Sequence, residues 1–298
     1  METRQLRYFV SVAEHGNFTR AARSLHIAQP ALSIAIKKME AGLGLVLFDR
    51  NEKQVHLTHE GKVLLEHARR ILQQVKDAEA AVAELKGLTK GEVRIGVPGM
   101  MGSYFFPQIL MAFRSRYPNL KLTVIEAGTQ SIRDMLLKGE LDLGVIIDKD
   151  VPAPLATQHL LTASMVAVVS DEHPFASREV VSFDEFFSEE LIMFKAGYFH
   201  REFIDKVCRE HGFQPNFAFE TNLLAMILKI VRGGYAITAL LDLVTDREDG
   251  ITGIPFEHSI TLELGIAWRK EGYLTLADRT FIEFLREQLK ETTDSKTA

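Results

Sequence analysis

Between Leu64 and Leu85 apolar residues recur at spacings of four, three, four, three, four and three: Leu64, Ala68, Ile71, Val75, Ala78, Val82 and Leu85. A strict heptad pattern sustained over about three heptads is the mark of one long helix with a narrow apolar stripe. A stripe this narrow suits a partner helix better than the broad contact of a globular core, with packing on its own domain as the alternative. The helix divides the chain into a front segment, residues 1–58, a connecting helix, 59–87, and a body, 88–298. Gly87 and Gly91, flanking Leu88-Thr89-Lys90, mark the hinge into the body.

The charge follows the same division. Residues 1–90 carry 14 Lys and Arg against 10 Asp and Glu, whereas the rest carries 21 against 30, so a net charge of −5 conceals +4 on the front and −9 on the body. A basic front on an acidic body fits a nucleic-acid module joined to a domain that stays off phosphate. Cys208 is the only cysteine, which excludes an intrachain disulfide and a cysteine-ligated zinc site and fits a reducing cytoplasm. The histidines follow no metal-ligand spacing, so neither a metal nor a cofactor is expected. METRQLRYFVSVAEHG carries charges through its apolar stretch, unlike a signal peptide, and no stretch approaches the roughly 18 apolar residues that span a bilayer. A cytoplasmic protein is expected.

In the front segment, Leu6, Phe9, Val10 and Ala13 recur at helical spacing between a candidate cap at Thr3 and a stop at Gly16. A second helix starts at Asn17 or Thr19 and contains Ala21-Ala22, a small pair over which another helix can cross closely. Pro30 then suits the first turn of a third helix through Leu32, Ile36 and Met39. Two short helices and a tight turn predict a helix-turn-helix whose second member enters the major groove. Gln29 can exchange hydrogen bonds with a base edge, Ser33 can reach a base or phosphate, and Lys37 and Lys38 can reach phosphates. Thr19 and Pro30 are counted with them. The runs Leu45–Phe48 and Val55–Leu57 around a polar turn predict a wing, with Arg50 and Lys53 at its tip.

The body alternates strand and helix. Strands are expected at Val93–Val97, Leu120–Glu126 and Leu141–Ile147, with helices at Tyr104–Arg116 and Gln130–Lys138, giving βαβαβ and a parallel sheet with helices on both faces. A second such unit follows, with strands at Met165–Val169, Leu191–Phe194 and Ala236–Ala239 and helices at His200–His211 and Asn222–Val231. The chain closes with a strand at Leu262–Trp268 and a helix at Leu276–Leu289. Two α/β lobes, one of residues 91–161 and 266–298 and the other of 162–265, imply a cleft in which ligands meet the C-terminal ends of strands.

Several segments resemble the family of LysR-type transcriptional regulators. FVSVAEHGNFTRAA, AQPALS, KKMEAGLG and LFDR followed by LTHEG match its DNA-binding domain over about sixty residues. GEVRIGV, FPQILMAFRSRYPNLKL, EAGTQ, LLKGELDLGVI and, more loosely, HGFQPNFAFET and IVRGGYAITAL match its effector domain. Ile34 and Ala35 stand where many members carry Arg or Gln, and Asp242 where a proline is common. The resemblance implies a winged helix-turn-helix, a linker helix and a two-lobed α/β effector domain similar to periplasmic solute-binding proteins. It also implies dimerisation through the linker helix, a homotetramer, promoter half-sites, contact with RNA polymerase as activator or repressor, and a small effector such as an organic acid.

Effector contacts are expected where strands run into helices, because free N–H groups and the positive helix end attract anions. These are Gly99 and Ser103 after the first strand, Thr129, Gln130 and Ser131 after the second, and Lys195, His200, Thr221 and Asn222 in the other lobe. Thr129 matches a frequent effector contact of the family, and Ser103, Thr129, Ser131 and Asn222 could equally serve as helix caps. Met100, Met101, Tyr198 and Phe199 could form apolar walls. An enzyme is disfavoured, since GxSxG, the P-loop and a strand-borne GxGxxG are all missing. The remaining alternatives are a cytosolic solute-binding protein and a redox-responsive regulator using Cys208, whose disulfide could only be intermolecular.

Overall fold

The computed structural model describes residues 1–49, 55–85 and 91–297, apart from the side chains of Ala83, Leu85 and residues 290–297. Arg50 and Lys53 at the expected wing tip, and the joint from Gly87 to Lys90, lie outside the described residues. The chain forms two units, residues 1–87 and 88–298.

In the first unit, helix α1 (Thr3–His15) is capped by Glu2 through a reciprocal box with Gln5, so Thr3 is the first helical residue and not the cap. Leu6, Phe9 and Val12 bury its inner face. Helix α2 (Phe18–Ser24) starts on Asn17, whose side chain accepts from the amides of Thr19 and Arg20 at 2.9 and 3.0 Å, and buries Ala21 and Ala22. Helix α3 (Gln29–Leu43) has Pro30 in its first turn and turns Leu32, Ile36 and Met39 inward. The wing is shorter than expected: β1 (Phe48–Asp49) pairs with β2 (His56–Leu57), while Leu45 and Val46 remain outside the ladder. The Phe48 ring packs against Phe9 at 5.3 Å and Phe18 at 5.9 Å, and the Glu40 carboxylate accepts from the amides of Leu47 and Phe48. These contacts fix the wing base to α3.

Helix α4 (His59–Leu85) opens against this core. A Cβ on Gly61 would lie 2.2 Å from the Leu47 carbonyl oxygen, so only glycine permits the approach. Arg69 pairs with Glu14 of α1 at 3.1 Å.

In the second unit, β3 (Glu92–Val97) is flanked in parallel by β4 (Lys121–Glu126) and β5 (Leu143–Ile147), with α5 (Phe106–Arg116) and α6 (Thr129–Lys138) as crossovers. The sheet is not purely parallel. Two long strands, β6 (Leu155–Ser170) and β10 (Ile251–Arg269), are antiparallel to each other, and β10 is antiparallel to β5. The order is β4-β3-β5-β10-β6-β9, with β9 at Thr238–Leu241. Only the apolar parts of the long strands were visible as strands, because Gln158, His159, Glu257 and His258 interrupt the alternation. The ladder shifts register between Leu264 and Gly265, where β6 steps over Leu160.

The second lobe adds α7 (Phe183–Ser188), β7 (Glu190–Met193), α8 (Phe199–His211), β8 (Asn216–Glu220), α9 (Leu224–Arg232) and α10 (Asp242–Thr245). Strand β8 was not expected; it lies parallel to β7 with a largely exposed side-chain pattern that offers no clean alternation. Asp242 opens α10, its carboxylate accepting from the amides of Ser164 and Leu243. Helix α11 (Leu276–Thr297) returns to the first lobe, where Phe113 meets Phe281 and Phe284 at 4.9 and 5.3 Å.

Candidate functional site

Two surfaces carry recognisable chemistry, one in each unit. On α3 the inner face is consumed by Leu32, Ile36 and Met39, which leaves Gln29, Pro30, Ile34, Lys37 and Lys38 exposed on the outer face and Ser33 at its border. Thr19 and Arg20 on α2 are exposed as well. The α3 N-terminus has no side-chain cap; Pro30 carries no N–H there, and the Ala31 amide donates to the Ala28 carbonyl at 3.0 Å. Hydrogen-bonding side chains at the helix start and two lysines farther along share this exposed face, the composition expected of a surface that meets DNA.

The apolar stripe of α4 is divided. Ala68 is fully buried in its own unit, which corrects it from a partner contact to an intradomain one, while Leu64 is half-buried and packs partly on the same core. Ile71 and Val82 are 40% and 51% exposed, Ala78 is exposed and Val75 half-buried. The free stripe therefore begins at Ile71.

The second surface lies where the lobes of the body meet. Gly128, and not a side chain, caps α6. Thr129 follows, only 5% exposed, with Gln130 and Ser131 exposed on the same turn. Gly128 faces the other lobe so closely that a Cβ there would stand 2.2 Å from the Gly197 carbonyl oxygen. Next to it the Tyr198 hydroxyl donates to Glu126 Oε1 at 3.1 Å. Burial, and then the nearby Glu126 carboxylate, push the Tyr198 phenol up to about 12. Glu126 is a cleft residue that sequence reasoning missed; its signal was an acid at a strand end, two residues before the Gly-Thr junction. Gly99 belongs beside it, because a Cβ on Gly99 would lie 3.3 Å from the same carboxylate oxygen.

A second tie between the lobes was also missed. Tyr104, in the π-helical turn Met101–Phe105, donates to Glu248 at 2.7 Å, and Glu248 pairs with Arg232 at 2.8 Å. Ser103 is exposed in that turn.

Other expected contacts move. Met100, Met101 and Phe199 are core residues and not cleft walls. Asn222 does not cap α9; its side chain accepts from the Lys195 amide at 3.2 Å, while Thr221 Oγ1 accepts from Leu223. The Lys195 side chain is exposed. His200 is 2% exposed and stacks on Phe194 at 4.9 Å, and neither ring nitrogen has a hydrogen-bond partner among the described residues. Burial holds its pKa well below the ordinary histidine value, so it offers no positive charge to an anion. Cys208 sits partly buried on α8, and burial pushes its thiol up. Among the described residues no group of three or more His, Cys, Asp or Glu could hold a metal ion, and no helix is long and apolar enough to cross a membrane.

Residues 3–62 match the family model for the bacterial regulatory helix-turn-helix protein, lysR family, and residues 86–290 match that for the LysR substrate binding domain. The chain belongs to the LysR family of transcriptional regulators. The HTH-type transcriptional regulator YcgK of Bacillus subtilis (strain 168) is 32% identical over 313 residues, covering 99% of this chain and 97% of its own. A hydrogen peroxide-inducible genes activator of Pectobacterium carotovorum subsp. carotovorum is 31% identical over 258 residues, covering 86% and 85%. The crystal structure of full-length CbnR complexed with its target DNA superposes with a TM-score of 0.65 at 25% identity, covering 96% of this chain and 99% of CbnR. As in other LysR regulators, a helix-turn-helix unit that binds DNA is joined here to a two-lobed effector-binding domain.

Proposed function

We propose that this LysR regulator reads promoter half-sites as a homodimer joined along Ile71, Val75, Ala78 and Val82, and that two such dimers form the working tetramer. Its effector is a small organic acid bound between the lobes, with its acid group at the open N-terminus of α6 beside Thr129. Because Glu126 sits in the same place, the acid also carries a hydroxyl or amino donor; a simple dianion would meet carboxylate repulsion. The observation that supports this reading is the hydrogen bond from Tyr198 to Glu126, a single polar contact that a ligand bearing a donor and an acceptor can replace. Ligand binding then shifts the population of lobe arrangements and, through the dimer, the placement of the recognition helices and the bend of the DNA. The protein works in the cytoplasm, with RNA polymerase as its downstream partner, and acts by binding and not by catalysis.

A redox reading finds little support. The peroxide-inducible relative raises it, but the single Cys208 is partly buried with its thiol held protonated, which makes it a poor nucleophile and leaves no partner within the chain for a disulfide. A purely solute-binding role leaves the DNA-reading face of α3 without a task.

Fluorescence anisotropy of the full-length protein against its own upstream DNA and a scrambled control, at several salt concentrations, tests the proposal. The upstream DNA is expected to bind at least tenfold tighter at every salt concentration. Hydroxy and amino acids are expected to change that affinity more than plain dicarboxylates. Equal binding that vanishes with salt would reduce the interaction to phosphate attraction.

A further inference from the structure

We infer that Ile34 reads the C5-methyl group of a thymine in the major groove and so sets part of the sequence preference of this regulator. The inference rests on DNA binding by α3 and goes beyond it to a residue and a base.

Ile34 lies in the second turn of α3 and is 55% exposed. The core side of the helix is fully supplied by Leu32, Ile36 and Met39, so Ile34 has no packing task there. Its neighbours on the outer face, one turn before and after, are Pro30, Lys37 and Lys38, all exposed. Those lysines place the face against polyanionic backbone, and their charge opposes a second copy of the same face. Of the surfaces this face could meet, DNA is the one its charge favours. An aliphatic side chain neither donates nor accepts, which removes the polar edges of guanine, adenine and cytosine as its targets. The thymine methyl is the one apolar group that base edges present in the major groove. The β-branch at Ile34 also restricts χ1, so little rotamer freedom is lost on docking. Gln29 and Ser33, on the same turns, supply the polar readout beside it. A family arginine or glutamine at this place would address a base edge or a phosphate; isoleucine exchanges that contact for an apolar one.

The test starts from duplexes selected by the full-length protein from a random-sequence pool, so it does not depend on knowing the natural target. Each thymine of the selected site is replaced singly by deoxyuridine, which removes only the methyl, and the affinity is read by anisotropy at fixed salt. One thymine per half-site is expected to weaken binding about three- to tenfold on losing its methyl, the effect of uncovering one methyl group. The Ile34→Ala protein is expected to bind thymine and uracil equally at that position, and Ile34→Val to retain part of the discrimination. Cytosine there should bind poorly and 5-methylcytosine recover part of the loss, in the wild-type protein only. Methyl sensitivity that persists in Ile34→Ala overturns the assignment and gives the methyl to another residue. So does a selected site with no methyl-sensitive thymine, or an equal loss by Ile34→Ala on selected and scrambled DNA. A pool that yields no enriched site would instead count against sequence reading by α3 as a whole.

Discussion

On α3 the groups proposed to meet DNA stand three and four residues apart on one face of one helix, in reach of each other by helical geometry alone. In the cleft the groups come from Gly99, Glu126 to Thr129, Gly197-Tyr198 and Asn222, brought together by four strand ends from two lobes. The helix face lies on a single element, whereas the cleft contact joins residues of two lobes and depends on how they are placed. The difference teaches where regulation can act. A surface fixed by local geometry specifies what is bound, and a surface assembled from distant segments can be made or unmade by a ligand worth a few kcal/mol.

The largest expected effect lies on a surface of the local kind. Ile71→Lys places a charge in the exposed part of the α4 stripe and should weaken self-association by ~3 kcal/mol, about a hundredfold, through lost apolar burial and charge facing charge. Sedimentation velocity across a dilution series reads this directly. Ala68→Lys should act differently, destabilising the folded first unit, because Ala68 is buried in its own core. An unaltered sedimentation profile for Ile71→Lys would mean that the copies meet elsewhere.

An intermediate effect tests the assembled surface through pH. The folded His200 has its pKa held well below the ordinary value of 6.5, so it stays neutral where an unfolded histidine takes up a proton. Above about pH 6.5 neither state is protonated and the full stability is present. As the pH falls below that point the unfolded state gains a proton the folded state refuses, and stability is lost at up to ~1.4 kcal/mol per pH unit. The expected outcome is that urea unfolding of the second unit shows this acid loss in the wild type and a shallower one in His200→Leu between pH 7 and 5. Equal slopes would remove His200 as the source.

How much could be read in advance follows the same contrast. The α3 face, the Asn17 cap, the Pro30 start and the heptad stripe were legible because each depends on residues within one or two turns. The division of the stripe at Ala68 was not, because a period of seven does not tell which neighbour fills it. In the body the β3–α5–β4–α6–β5 order was visible from alternation. The antiparallel β6 and β10 were foreseen only in part, because polar residues interrupt them where they pass between lobes. Glu126 escaped because an acid at a strand end resembles any solvated charge until Tyr198, 72 positions later, is seen to bond it. His200 was expected among the effector contacts, and its burial in an aromatic stack, which a position at a strand-to-helix junction does not reveal, keeps it from offering a charge there.

The smallest expected effect addresses the contact on which the comparison turns. Tyr198→Phe deletes one hydroxyl and with it the only interlobe hydrogen bond described at Glu126, while the ring can keep its stacking on Phe194 at 5.4 Å. A hydrogen bond to an exposed carboxylate contributes ~1 kcal/mol, so local opening at this seam should become about fivefold more frequent. Amide exchange at Gly128 and Thr129 is expected to accelerate by that factor, with exchange in the β3 and β5 core unchanged, since opening of the lobes need not unfold either one. If exchange at the seam stays at the wild-type rate, the apposition of Gly128 and Gly197 and the Tyr104–Glu248 tie hold the lobes without it, and Tyr198 serves the cleft only as a wall. If exchange rises throughout the second unit, the tie contributes to folding and not to lobe arrangement, and the cleft would then be as fixed as the helix face.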